Sequence, residues 1–320
     1  MRMFVNTVVM LGAALAFSAS AAAGGYPDRA VTIVVPYSAG GLTDLYGRLI
    51  GKYLGTLWGV PVIVENKGGA GTMIGTQTAA RAKPDGYTLL LTSYAYTSNP
   101  ILRRHLPYSK DALQPVMLVG RTSNMLVVSA KTNLHTLNDV IAKAKKSPGN
   151  LRLASSGNGS SPQIAAELWA KAVGVKITHV PYKGTSPAMN DVYAGQVDGI
   201  FDGLSSMPAV KSGMLRAIAI ASEKRQAAAP NVPTFKELGV NLIFGSWFGF
   251  FVPQGTPDAI VKKLNADMRR AVDDPATRAA LENTHLVIDT GSPAKFAHFL
   301  KYESSRLQDL VNSGADIAVE

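Results

Sequence analysis

Two short stretches place small hydrogen-bonding residues between an apolar run and a helical pattern. The first is Tyr37-Ser38-Ala39-Gly40-Gly41, after the β-branched run 30–35 and Pro36. Gly40 and Gly41 let backbone N–H groups approach a ligand with no Cβ in the way. The helix that follows brings its unpaired N–H groups and positive end to the same place, and Tyr37 and Ser38 add hydroxyls. The second stretch, Ser155-Ser156-Gly157-Asn158-Gly159-Ser160-Ser161, repeats the device. Groups of this kind hold anions: a carboxylate gripped by N–H and O–H donors needs no buried lysine. The competing reading of each is a plain turn with glycine for geometry, and of Thr43 and Asp44 a helix cap. A third strand end runs from His179 into Tyr182, Lys183, Gly184 and Thr185, while Tyr94, Tyr96 and Thr97 follow the apolar run 87–91. Rings at that end would pack on an apolar part of a ligand or hold two halves of the fold together, and Trp247 admits the same two readings.

Catalytic and cofactor patterns are missing. No serine stands in G-x-S-x-G, no histidines are paired at metal spacing, and cysteine is absent, which removes thiolate nucleophiles, cysteine zinc sites and iron–sulfur ligation. Gly69 and Gly71 begin a dinucleotide-like pattern, but its third glycine position is Ile74. There is no P-loop, so no cofactor and no metal is expected. His179 is a conceivable base and Asp198 with Asp202 a conceivable acid–base pair. The plainer readings are a strand-end histidine bonded to backbone and carboxylates that cap turns.

The elements that must position these residues alternate. Strand patterns at 30–35, 60–64 and 87–91 enclose helical patterns at 42–54 and 72–82. After strands at 116–119 and 125–128 the alternation restarts, with strands at 151–154, 177–180, 197–201 and 215–220 and helices at 138–146, 162–172 and 187–193. This is the signature of mostly parallel sheets flanked by helices, an α/β fold in which ligands bind beyond the carboxyl ends of strands. A short helix is expected at 235–239, and Thr256 is expected to cap a helix starting at Pro257. The last hundred residues hold one clear strand, 286–288, beside several helices. Such a tail most easily completes the first unit, giving two lobes joined by crossings near 120–125 and 245–247. The expected division is 26–122 with 247–320 for lobe 1 and 123–246 for lobe 2, with a cleft between them.

The chain has 320 residues, 47% of them hydrophobic and 17% charged, which excludes a mainly disordered protein. Its net charge of +10 attracts anions, but the basic residues are dispersed and not interleaved with aromatics, so nucleic acid is not an expected partner. Arg2, the apolar run 8–17 and the small residues after it form a secretory signal peptide pattern over 1–23. The expectation is a soluble, exported, periplasmic protein, and a monomer, since no heptad or strong interface pattern occurs.

In order along the chain stand VPYSAGGLTD at 35–44, VENKGGAGTMIG at 64–75, DGYTLL at 85–90, LPYS at 106–109, HVPYKGTSPAMNDVYAGQVD at 179–198, PNVPTFKELG at 230–239 and SWFGFFVPQGTP at 246–257. This pattern resembles the extracytoplasmic solute receptors of tripartite tricarboxylate transporters, the TctC-like family known as Bug receptors in Bordetella-type bacteria. The resemblance implies a two-lobe periplasmic binding fold closing on a small carboxylate: a di- or tricarboxylate, an acidic amino acid or an aromatic acid. It implies delivery to a permease of one large and one small membrane subunit. Carried over, the ligand-binding residues are Tyr37, Ser38, Ala39, Gly40 and Gly41; Ser93, Tyr94, Tyr96 and Thr97; Ser156, Gly157, Asn158 and Ser160; Lys183, Gly184 and Thr185; and Asp202. Where members often have histidine this chain has Tyr94-Ala95-Tyr96 and Gln163, so the added tyrosine area favours an aromatic or partly apolar acid. A sensory adaptor for a membrane kinase and a secreted hydrolase using His179 with Asp202 are the alternatives.

Overall fold

The computed structural model describes residues 25–312, and the leader expected at 1–23 lies outside them. The first sheet contains β1 (Val31–Val35), β2 (Val62–Asn66), β3 (Thr88–Ser93), β4 (Leu113–Ser123), β10 (Gly245–Pro253) and β11 (Val287–Ile288), in the order β11-β4-β10-β3-β1-β2. The second contains β5 (Met125–Ser129), β6 (Arg152–Ser155), β7 (Thr178–Pro181), β8 (Gly199–Asp202) and β9 (Leu215–Ile220), in the order β7-β6-β8-β5-β9. In the first sheet β1 to β4 share one direction, and only β10 and β11 oppose it. In the second, β5 alone is reversed. The result is the expected α/β architecture, two mostly parallel sheets flanked by helices in a bilobed fold.

The helices are α1 (Leu42–Trp58), α2 (Met73–Ala80), α3 (Ala95–Leu102), α4 (Leu137–Lys146), α5 (Ser161–Val173), α6 (Thr185–Ala194), α7 (Met207–Lys211), α8 (Asp258–Asp273), α9 (Pro275–Glu282) and α10 (Pro293–Asn312). Helix α1 shows why the pattern folds this way. Tyr46, Ile50 and Leu54 recur every four residues and are fully buried, and each such side chain contributes about 1.5–3 kcal/mol. Gly51 lets the helix lie close to the sheet: a Cβ there would sit 3.2 Å from Val62 Cγ1 and 3.3 Å from Ile33 Cδ1. Gly59, left-handed at φ 69°, ends it.

Two chain crossings join the sheets. Strand β4 passes into β5 with only Asn124 between them. The return enters at β10, which inserts between β4 and β3. Asn124 binds the crossings together: its N–H donates to the Phe244 carbonyl at 3.0 Å, and its own carbonyl accepts from Ala221 N–H at 2.8 Å.

Two local expectations are corrected, and one helix appears that the pattern did not anticipate. Residues 95–102, with a proline inside, form α3. The 235–239 segment makes turns rather than a helix, because Thr234 Oγ1 accepts from Glu237 N–H while Glu237 accepts from Thr234 N–H, closing a single turn. Thr256 donates its hydroxyl back to the Pro253 carbonyl at 2.8 Å, and Pro257 takes the cap position of α8.

Candidate functional site

The carboxyl ends of β1, β3, β6 and β8 meet at one cavity of about 40 Å³ between the lobes. Three helices begin there. Gly41, Leu42 and Thr43 bring the start of α1, Ser160, Ser161 and Pro162 that of α5, and Thr185 that of α6. Each helix start carries roughly half a positive elementary charge in its unpaired N–H groups. Among the described residues, no lysine or arginine side chain lines the cavity. Its positive potential is therefore built from backbone, and its hydrogen-bonding surface from hydroxyls.

The hydroxyls are held from behind. Ser93 Oγ and Ser246 Oγ lie 2.6 Å apart, linking β3 to β10. Tyr37 is buried, which pushes its hydroxyl pKa up. Ser160 Oγ is buried and makes no hydrogen bond among the described residues. Among the described residues the one carboxylate in the lining is Asp202, at the end of β8 and 8% exposed. Burial raises its pKa, against the lowering effect of hydrogen bonds donated by Ser206 Oγ and Gly203 N–H. With no cation beside it, Asp202 faces the cavity as a hydrogen-bond acceptor for a donor on a guest.

The lobes are closed on each other. Ser38 donates from its N–H and its hydroxyl to the Lys183 carbonyl, at 2.9 and 3.2 Å. Deeper in, Ser98 Oγ donates to the Gly159 carbonyl at 2.5 Å. The glycines of the dinucleotide-like stretch serve this closure: a Cβ on Gly68 would come within 2.9 Å of the Lys183 carbonyl, and one on Gly71 within 2.6 Å of the Asn158 carbonyl. Outside the Ser38–Lys183 contact lies a wider vestibule of about 530 Å³, bordered by Ser38, Gly71, Gly157, Asn158 and Lys183, and Ser156 borders both spaces.

The expected site residues separate accordingly. Tyr37, Gly41, Ser93, Ser156, Ser160, Thr185 and Asp202 line the cavity. Ser38, Gly157, Asn158 and Lys183 line the vestibule, and Gly184 packs on Ser38. Ala39 and Gly40 are exposed and border neither space. Gly40, at φ 85°, gives its N–H to Asp44 Oδ2 at 3.0 Å, and Arg48 holds that carboxylate in turn. Tyr94, Tyr96 and Thr97 lie in α3 and its cap, outside the cavity lining. Tyr94 is fully buried, edge-on to Phe244 with centroids 5.0 Å apart, and Tyr96 lies on Phe251 at 4.3 Å.

The catalytic candidates have structural partners. His179 Nε2 pairs with Ser155 Oγ at 2.6 Å, and burial lowers its pKa to about 4. Asp198 immediately precedes β8, salt-bridged to Lys143 at 2.6 Å and accepting from Arg152 N–H. Gln163 accepts from Gly159 N–H at 2.7 Å and fixes the second loop. Sequence reasoning missed Leu42 and Thr43, and also the floor of the cavity: Thr122, Asn124, Ser246 and Phe248 on the crossing strands. Their signal was the polar break at 122–124 inside an apolar stretch and a serine beside the second crossing.

Comparison with known proteins fits this geometry. The chain is 35% identical over 297 residues to the protein BugT of Bordetella pertussis, covering 89% of each chain. Among solved structures, MatC from Rhodopseudomonas palustris with bound malate is 33% identical, with a TM-score of 0.85 over 89% of this chain and 100% of that one. The R. palustris protein Rpa4515 with adipate is 30% identical, with a TM-score of 0.86 over 92% of this chain and 99% of that one. Residues 48–315 match the family described as tripartite tricarboxylate transporter family receptor, and the chain belongs to that family of solute-binding receptors.

Proposed function

We propose that this protein is a periplasmic receptor that captures a small carboxylate and delivers it to the large and small membrane subunits of a tripartite tricarboxylate-type permease. The observation that carries this reading is the convergence of three helix starts on a cavity lined by no cationic side chain. Backbone N–H groups at 41–43, with the hydroxyls of Ser93, Ser160 and Thr185, receive the carboxylate. Asp202 accepts from a hydroxyl or ammonium of the same guest. Ser156 and the residues of the Ser38–Lys183 contact act at the door, and closure traps the solute through contacts made only in the closed state. The working lobes are 26–122 with 247–320 and 123–246. The leader at 1–23 is removed on export, and the soluble receptor acts as a monomer. The relatives that carry malate and adipate support an aliphatic acid, and the likeness to BugT supports placing the chain with the Bug group of Bordetella-type bacteria. The compact cavity and the packing of Tyr94 and Tyr96 away from it favour a small aliphatic acid over an aromatic one.

The test is thermal unfolding of ligand-stripped mature protein with malate, aspartate, adipate, benzoate and glucose. A ligand at one hundred times its Kd adds about 2.7 kcal/mol of stability. A shift with one or more aliphatic acids and none with glucose is expected. A shift with glucose alone overturns the carboxylate assignment.

A further inference from the structure

The crossing strands have two faces, and the second also walls a pocket. Thr122 pairs with Ser246 in the β4–β10 ladder, and both reach the inner cavity while also bordering the rear pocket. One residue away, Arg121 pairs with Trp247, and side chains alternate across a sheet. Arg121 and Trp247 therefore face the rear, where a pocket of about 250 Å³ lies between the 221–244 segment and α10. One part of its rim is apolar, with Ile243 40% exposed, Val287 57% exposed and Phe299 beside them, while Thr122, Ser123, Ser246 and Glu303 give the rest polar groups.

Two guanidiniums stand beside this apolar part. Arg121 is half-exposed, with its Cζ 5.8 Å from the Phe299 ring centroid and one ion pair, to Asp289 at 3.1 Å. Arg306 lies with its Cζ 5.1 Å from the Phe244 ring centroid, 3.6 Å from Glu303, and its Nε is buried without a hydrogen bond. The Trp247 indole N–H is likewise buried and unpartnered. Burial pushes the Glu303 carboxyl pKa up, against the lowering effect of the Arg306 and Arg121 guanidiniums beside it. A ring that fills the apolar rim and an anionic group that reaches two guanidiniums describe one chemical class.

We propose that this rear pocket is a second binding site, for an aromatic carboxylate, with the acid group on Arg121 and Arg306 and the ring against Ile243, Val287 and Phe299. Thr122 and Ser246 line both this pocket and the cavity assigned to the transported solute, and form the wall between them.

The probe is 2-naphthoate, titrated by calorimetry into the mature protein and into the Gly41→Asp variant, in which the inner cavity is blocked by charge. Binding of one equivalent is expected in the Gly41→Asp variant, weakened at least tenfold by Arg121→Gln and by Val287→Glu, both at exposed positions that folding tolerates. The neutral 2-naphthylmethanol is expected to bind at least tenfold more weakly. No saturable binding to Gly41→Asp, or binding indifferent to both rim substitutions, overturns the site. Equal binding of the alcohol overturns the ligand class. Because the inner cavity is blocked in this experiment, its result stands apart from that of the acid panel.

Discussion

Ser38 and Lys183 meet across the closed cleft, with the serine N–H 2.9 Å and its hydroxyl 3.2 Å from the lysine carbonyl oxygen. Both donors belong to the loop after β1 and the acceptor to the loop after β7, so the contact exists only when the lobes close. Gly184 makes room for it: a Cβ there would stand 2.9 Å from Ser38 N. Its backbone is extended, at φ 161°, so alanine introduces bulk without backbone strain. Gly184→Ala is expected to leave the melting temperature of the ligand-free protein nearly unchanged and to weaken solute binding by about tenfold or more, about 1.4 kcal/mol. Calorimetric titration with the best acid of the panel checks it.

Gly41 separates charge from shape. Its φ is −87° and the nearest atom to a Cβ is Thr185 Cβ at 3.9 Å, so a side chain fits. It caps α1 without a side-chain hydrogen bond, and aspartate or asparagine in that place stabilises a helix by a few tenths of a kcal/mol. Both Gly41→Asp and Gly41→Asn are expected to fold at least as stably as the parent. Only the aspartate puts a negative charge at the cavity. Acid binding is expected to fall by about a hundredfold in Gly41→Asp, about 2.8 kcal/mol, and by less than tenfold in Gly41→Asn. Equal losses would remove the electrostatic argument.

Asp202 has a raised pKa because it is buried without a cation. A carboxylate whose folded pKa lies above its unfolded value contributes fully below the ordinary carboxylate range and loses that contribution as pH rises through the raised value. At pH 7.5 the ionised group therefore costs stability. Asp202→Asn is expected to raise the melting temperature of ligand-free protein at pH 7.5, with the gain shrinking toward pH 4. The same change is expected to weaken a hydroxy or amino acid about tenfold more than a plain diacid, since a single lost hydrogen bond to a charged group is worth about 1.5–3 kcal/mol.

His179 works in the opposite sense. Its pKa is lowered to about 4 by burial, so the neutral ring is the folded form. Stability from this group is present above the unfolded value near 6.5 and is lost as pH falls toward 4. Between pH 7.5 and 4 the parent is expected to lose roughly 3 kcal/mol more than His179→Gln. Chemical denaturation at the two pH values measures it, and acid binding at pH 7.5 is expected to survive the substitution.

The alternation of apolar runs with helical spacing exposed the architecture, because strands buried on both faces read as continuous β-branched stretches. The loops at 37–41 and 155–161 were legible for the same reason, since small residues between a strand and a helix have few other uses. What the pattern did not disclose was direction. Tyr94 and Tyr96 follow β3 as a ligand-facing pair would, yet α3 begins there and turns both rings into the interface with Phe244 and Phe251. Tyr94→Phe is accordingly expected to leave acid binding unchanged, and Tyr96→Ala to lower stability by about 3 kcal/mol, by analogy with aromatic truncation in a core. The cavity floor was hidden for another reason: Thr122 and Ser246 are ordinary polar residues until β10 is known to lie against β4.

The insertion of β10 between β3 and β4 also dictates an order of assembly. Strands β5 to β9 come from one unbroken stretch, 125–220, and can pair as soon as that stretch is available. The other sheet lacks its middle until residues 245–253 arrive, more than a hundred positions after β4. Pairings so distant along the chain are slow to form. The half of the molecule that begins the chain is thus the half that finishes last, and its unpaired β3 and β4 edges are the stretch that needs shielding while the polypeptide is still incomplete.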